Sequence, residues 1–387
     1  MGANPVELRK FIAPEIIFGN GSRMLAGQYC KNFHAKKPLV VSDPGVISSG
    51  WTDDVIESLG KFGINYKLFS NISPNPREHE VMTGAEIYLQ EKCDSIVAVG
   101  GGSPMDCAKG IGIVSANKGH ILDYQGIDKI TNPLPPMIFI PTTAGTSADV
   151  SQFAIIADTK KLVKIAIVSK IILPDVALID PETSFTMDKY LTACTGMDAL
   201  VHAIEAFVSK ASSPLTDVHA LEAVKILSEN LYKVHLKPDD IETRKKIMFG
   251  SMEAGLAFSN AILGAVHAMS HGLGGLMDLS HGECNSMLLE HVINFNFNSV
   301  PERFSVIAQN MNIDTKNLTQ NEIRKKIFSK IRELKNFIGI TNTLKDTGVK
   351  SSDIPVLAKK AVNDACLVTN PRKAQTREIE IIYEEAM

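Results

Sequence analysis

No sign of charge dominates this 387-residue chain: 40 Lys and Arg stand against 43 Asp and Glu, for a net charge of −3. That balance argues against a nucleic-acid-binding surface or an anionic-membrane surface. Long hydrophobic runs are also missing. The longest apolar stretches, such as "MIFIP" and "SIVAVG", are far too short to span a bilayer. The N-terminal "MGANPVELRKF" has no apolar h-region and does not read as a secretory signal. Its Met1-Gly2 start matches only a fragment of an acylation signal. Paired cysteines are lacking as well. Cys30, Cys93, Cys107, Cys194, Cys284 and Cys366 are scattered, with no CxxC spacing. This argues against a structural zinc knot or a disulfide framework, and for a reducing compartment, the cytoplasm. Any metal must then be held mostly by His and carboxylate. There is no internal repeat, no low-complexity tract and no GxGxxG after any predicted strand.

What is present falls into two halves, as the chain length suggests. Residues 37–43, 64–70, 94–100, 136–142 and 176–181 are short β-branched runs. Amphipathic stretches such as "WTDDVIESLGKFG" and "HEVMTGAEIYLQEK" lie between several of them. Strand and helix in alternation predict a parallel sheet covered on both faces, with ligands at the C-terminal strand ends. Beyond about Thr183 the strand signals fade, and long stretches such as "DKYLTACTGMDALVHAIEAFVSK" carry helical periodicity. The expectation is an α/β nucleotide-binding domain over residues 1–184 and an all-α domain over 185–387.

"SIVAVGGGSPMDCAKGIGIV" reads as a strand, a turn and a helix. Gly100, Gly101 and Gly102 allow a sharp turn and close ligand approach. Ser103 suits an N-cap and Pro104 the first helical position. The helix N-terminus would then face a pyrophosphate, although such turns also serve packing alone. A second loop, "PTTAGTSADVS", offers the hydroxyls of Thr142, Thr143 and Thr146 at the end of a neighbouring strand.

His267, His271, His281 and His291 crowd into 25 residues. His267 and His271 are four apart, as are Asp198 and His202 in "TGMDALVHAIE", so each pair shares a helix face. Two such pairs on an apolar background suit a metal cage, since burying them unpaired is costly. Lone helical histidines are more often core or surface residues. His34, His79, His120, His219 and His235 sit in polar stretches and are expected to be solvated.

Four motifs occur in this order: "GGGSPMDCAKG", "IPTTAGTSADV", "TGMDALVHAIEAFVS" and "GAVHAMSHGLGGLMDLSHGECNSMLLEHV". Together they resemble the iron-containing (group III) alcohol dehydrogenases, a family that includes lactaldehyde reductases and 1,3-propanediol dehydrogenases. The resemblance runs from "FIAPEIIFGNGS" nearly to the C-terminus. It implies a dehydroquinate-synthase-like fold, NAD as cofactor, and one divalent metal in the interdomain cleft, Fe(II) or Zn(II). The implied metal ligands are Asp198, His202, His267 and His281, with His271 beside the metal as a candidate proton relay or a support. Gly100, Gly101, Gly102, Ser103, Thr142, Thr143 and Thr146 would hold the cofactor phosphates. Asn75 and Lys164 fall at the ribose or nicotinamide end, and Asp43 at the adenosine ribose. Ser151, Gln152, Phe153 and Phe258 fall near the substrate pocket. The family's GTGSEV is "GTSADV" here, and Gly272 and Ser280 stand where prolines are usual.

The implied reaction is hydride exchange between a small alcohol and its aldehyde. The alternative is a non-redox lyase on the same fold, but one Asp with three His favours the dehydrogenase. Expected partners are a small-molecule alcohol or aldehyde and, by resemblance, further copies of the chain as a homodimer or larger, with the strand near residues 11–18 crossing between subunits. No nucleic acid or membrane is expected.

Overall fold

The computed structural model describes residues 9–387. The Met1-Gly2 start and most of the N-terminal stretch considered above lie outside the described residues. The described strands are β1 (Glu15–Phe18), β2 (Pro38–Val41), β3 (Lys67–Phe69), β4 (Ser95–Gly100), β5 (Gly126–Ile127), β6 (Met137–Pro141), β7 (Phe153–Asp158), β8 (Val163–Val168) and β9 (Val176–Ile179). The main sheet has the order β1-β9-β6-β4-β2-β3, and every pairing in it is parallel.

Its four inner strands are buried throughout, which explains why they read as continuous β-branched runs rather than alternating ones. Successive residues still serve opposite faces. Leu39, Val41, Ile96, Ala98, Met137 and Phe139 pack into one cluster. Val40, Val97, Val99, Ile138 and Ile140 pack into another on the far side. Helices α1 (Trp51–Lys61), α2 (Glu78–Gln90) and α3 (Gly102–Asn117) return the chain between strands.

A smaller sheet, β5-β8-β7, departs from the all-parallel expectation, because β7 and β8 pair antiparallel from Phe153↔Val168 to Asp158↔Val163. Leu162, at φ 52, turns the chain between them.

After β9 and a 3-10 turn (Pro181–Thr186) the structure is helical. Its long helices are α4 (Lys189–Val208), α5 (Pro214–Leu236), α6 (Ile241–Ala261), α7 (Ala265–Met277), α8 (His281–Phe297) and α9 (Gln320–Ile338). Their starts follow local chemistry. The Asp188 side chain accepts from the Leu191 N–H, Pro214 follows the Ser213 cap, and Thr319 and Glu322 form a capping box. Among the described residues α4 is the one single helix long and apolar enough to cross a membrane, but 89% of that window is buried inside the protein. It is the central helix of a core that spans the helical half.

Candidate active site

α4 presents Asp198 and His202 one turn apart, α7 carries His267 and His271, and α8 begins at His281. Ser280 caps α8 by accepting from the Glu283 N–H at 3.3 Å, so the residue in place of proline still fixes the entry of His281. The Nε2 atoms of His202, His267 and His281 lie 4.0, 3.8 and 4.0 Å from a single oxygen, Oδ1 of Asp198. Donor atoms of Asp198, His267 and His281 all fall within 4.8 Å of one another. The rings of His202 and His267 stack at 4.5 Å.

Burial alone would neutralise Asp198. The neighbouring His202, His281 and His267 more than offset it, and the carboxyl is held well below its ordinary range. Burial pushes His202 down to about 4 and His281 well below its usual value, so both rings are neutral with lone pairs to donate. Burial also opposes charge on His267, but the nearby Asp198 carboxylate and the hydrogen bond to Glu205 raise it to about 9. A cation held at this ring would have to displace a proton. One carboxylate with three imidazoles, buried around one point, fits a divalent first-row cation.

Three further side chains, which sequence reasoning missed, brace Asp198, His267 and the neighbouring His271. Glu205 accepts from His267 Nδ1 at 2.6 Å. Asn285 Nδ2 donates to Asp198 Oδ1 at 2.6 Å. Asp364 Oδ2 bonds His271 Nδ1 at 2.8 Å. Burial opposes the charge on Asp364, yet His271 draws its pKa down. Glu205 was visible in the sequence, since Asp198, His202 and Glu205 follow at i, i+4 and i+7 on one face. Asp364 had no such signal, because it sits 93 residues from its partner.

A cavity of about 110 Å³ joins the two halves. Asp198, His202, His267, His271, His281 and Phe258 line it from the helical side. Asn75, Gly102, Ser103, Thr146, Ser151, Phe153 and Lys164 line it from the sheet side. The two phosphate-loop candidates touch each other here. A Cβ on Gly101 would stand 3.0 Å from Thr143 Cγ2, and one on Gly102 would stand 2.8 Å from Thr146 Cγ2. Glycine is required for that approach. The N-terminus of α3 has no side-chain cap, so its first N–H groups face the turn without a side-chain acceptor, which fits a dinucleotide phosphate.

Ser103 is not the N-cap. Gly101 takes that position, and the Ser103 hydroxyl accepts from the Asn75 N–H at 3.2 Å. Ser147 stands where the family has glycine and takes φ 50, held by its hydroxyl donating to Ser251 O at 2.7 Å. Gly100, Gly101, Thr142, Thr143 and Asp43 are not among the cavity-lining residues. Asp43 Oδ1 accepts from the Val46 N–H at 3.0 Å and caps the short helix Pro44–Ser48. Gln152 departs from its expected place, because its amide donates to Ser259 O at 2.8 Å and ties the start of β7 to the end of α6. His219 is not simply solvated: its Nδ1 contacts Glu253 at 2.6 Å and its ring stacks on Phe11.

Asp106 also lines the cavity and was missed, although "MDCAK" puts two charges on an apolar helix. Burial raises it to about 6, partly opposed by Lys109. Lys109 is itself fully buried and donates to the carbonyls of Ser151 and Phe153 at 2.8 and 2.6 Å.

Comparison with known proteins gives a consistent result. Residues 13–181 match the model of the iron-containing alcohol dehydrogenases, and residues 192–387 match that of the C-terminal domain of the same family. The chain is 40% identical to a 1,3-propanediol dehydrogenase of Citrobacter freundii, covering 97% of this chain and 98% of that protein. It is 39% identical to an NAD-dependent methanol dehydrogenase of Bacillus methanolicus, covering 97% and 99%. The solved structure of a 1,3-propanediol oxidoreductase superposes with a TM-score of 0.95 at 39% identity, over 98% of this chain and all of that one.

Proposed function

The chain belongs to the iron-containing alcohol dehydrogenase family, and we propose that Asp198, His202, His267 and His281 hold its divalent cation. It is a metal-dependent, NAD(H)-linked alcohol dehydrogenase or aldehyde reductase. Fe(II) is the resident ion in this reading, and Zn(II) suits the same donors. The observation that carries it is the convergence of three imidazole Nε2 atoms on Asp198 Oδ1, across a cavity from the glycine turn. That turn and the 142–146 loop hold the cofactor phosphates, with Asn75 and Lys164 further along the cofactor. The division between the domains falls at 184/185.

When bound, the cation would supply Lewis acidity and NAD the hydride chemistry. Phe258 stacks on His202 at 4.3 Å, and Phe153 packs on Phe258 at 5.7 Å. With Ser151 they form a wall that excludes water from the reacting carbon. His271 lines the same cavity with Nδ1 committed to Asp364. Nε2 is the ring atom left to hold or pass the alcohol proton. Similarity to a 1,3-propanediol dehydrogenase and a methanol dehydrogenase points to short alcohols and diols as the substrate class.

The protein works in the cytoplasm as a homodimer or larger assembly. The unpaired thiols of all six cysteines support the first statement. The position of β1 at the sheet edge, where among the described residues it pairs with β9 alone, supports the second. After loading with Fe(II), NAD and 1,3-propanediol, methanol or 1-butanol should yield NADH, followed by its absorbance, and a chelator should abolish the rate. No NADH from any short alcohol would overturn the reading.

A further inference from the structure

Glu205 is 3% exposed, on the same face of α4 as Asp198 and His202. Its carboxylate accepts from the backbone N–H groups of Gly264 at 3.0 Å and Val266 at 2.7 Å. It also accepts from Nδ1 of His267 at 2.6 Å. One buried anion thus holds the first turn of α7 and the ring of the histidine that turn carries. The carboxylate sits tightly against the backbone: a Cβ on Gly264 would stand 2.8 Å from Glu205 Oε1.

The consequence for the ring is chemical. With Nδ1–H donated to a carboxylate, the neutral tautomer has its lone pair on Nε2, the atom 3.8 Å from Asp198 Oδ1. The charge behind the ring also raises its basicity, and so its strength as a donor. Asp198 and Glu205 are therefore not equivalent carboxylates. One faces the cation, and the other faces the back of a ligand.

We propose that Glu205 is a positioning residue that fixes the Nε2-donor form of His267 and thereby sets cation affinity. The proposal rests on His267 being a ligand, as argued above. Replacing Glu205 by Gln keeps the shape but removes the charge, and its amide can no longer accept at both oxygens. Either the donor weakens, or the amide N–H faces Nδ1 and moves the ring proton to Nε2.

The test is Zn(II) affinity of the full chain, measured by competition with a chromophoric chelator, together with the visible spectrum of the Co(II)-loaded protein. Four variants are compared with wild type. Glu205→Gln should weaken Zn(II) binding by about 10- to 100-fold and shift the Co(II) bands. Glu205→Asp keeps the charge but withdraws it, and should fall between Gln and wild type. Asn370→Ala is the structural control, because Asn370 Oδ1 also caps α7, accepting from the Ala265 N–H at 3.1 Å without touching His267. It should lower the melting temperature yet leave Zn(II) affinity within about threefold of wild type, since it leaves the His267 pairing intact. His267→Ala should lose the affinity outright.

Unchanged affinity and unchanged Co(II) bands in Glu205→Gln would overturn the proposal. So would an equal loss in Asn370→Ala, which would make Glu205 a helix cap only. If Glu205→Gln is insoluble, Glu205→Asp decides by the same two readouts. If His267→Ala binds like wild type, the ligand assignment itself has failed, which is a different result.

Discussion

Asp43 has two candidate duties. One of its oxygens accepts from the Val46 N–H at 3.0 Å, which is the capping role of an Asp before Pro-Gly. The same side chain closes β2 at the C-terminal edge of the parallel sheet, where ribose hydroxyls are read. A 2′-phosphate there would meet like charge, about 4 kcal/mol at about 4 Å and an effective dielectric of about 20, before screening. We expect NADH to be preferred over NADPH by about a hundredfold in kcat/KM, near 2.7 kcal/mol. Asp43→Gly should narrow that ratio at least about tenfold while costing only a few tenths of a kcal/mol as a cap. A lower melting temperature with an unchanged ratio would leave Asp43 as a turn residue alone. His271 poses a similar choice. His271→Ala should retain the metal, measured by elemental analysis, and lose about 10²- to 10⁴-fold in kcat as a lost proton relay does. Loss of the metal would make it a ligand instead.

At the scale of elements, a buried ionic group links α3, the 142–150 loop and β7. Burial raises Asp106 and Asp149 to about 6, and it lowers Lys109 to about 8. The two carboxyls hold protons more tightly in the folded chain than in the unfolded one. Their contribution is therefore full below the ordinary carboxyl range and is lost as pH rises through about 6. Lys109 acts in the opposite sense: its contribution is present above the ordinary lysine value and is lost as pH falls through about 8. Asp149→Asn imitates the protonated acid. Its melting temperature relative to wild type should rise by a few degrees between pH 5 and pH 7. A difference that does not change with pH would refute the assignment. This group also shows where sequence reading stops. The parallel strands were legible as short continuous β-branched runs, and the i,i+4 spacing of Asp198 with His202 and of His267 with His271 because it is local. The β7–β8 hairpin was not, since "FAIIAD" and "VKIAIV" lie close together without a glycine or asparagine turn to announce a reversal. Nothing local in the sequence marks Lys109 as a buried donor, because its partners, the carbonyls of Ser151 and Phe153, lie 42 and 44 residues away.

At the scale of the whole molecule, the metal donors we propose belong to the helical half and the phosphate loops we propose to the sheet half, so in this reading catalysis depends on how the halves are joined. The joint lies at the β7–β8 hairpin. A Cβ on Gly275 of α7 would stand 2.8 Å from Val163 Cα, so helix and strand meet there backbone to backbone. Lys360 Nζ donates to Leu162 O at 2.8 Å from the helical side. Beside the cavity runs a chain of hydrogen bonds. Lys164 Nζ donates to Asn75 Oδ1 at 2.7 Å, and Asn75 Nδ2 donates to Asp278 Oδ1 at 2.9 Å. Asp278 belongs to the link between the two helices that carry the histidines. It thus fixes which way the Asn75 amide points, and with it the oxygen offered to Lys164, the residue we assign to the cofactor. Burial lowers the Lys164 pKa, while Asp278 is among the charges that oppose that loss. Asp278 is largely exposed, so its bond is worth about 1 kcal/mol, or about fivefold in binding. Asp278→Ala should therefore weaken NADH binding by about that factor, measured by nucleotide fluorescence titration. Metal content should stay at the wild-type level, because no metal donor contacts Asp278. An unchanged NADH Kd would mean that the Asn75 amide is held by Lys164 and its own loop alone. Loss of metal would mean that the link positions His281 rather than the cofactor contacts.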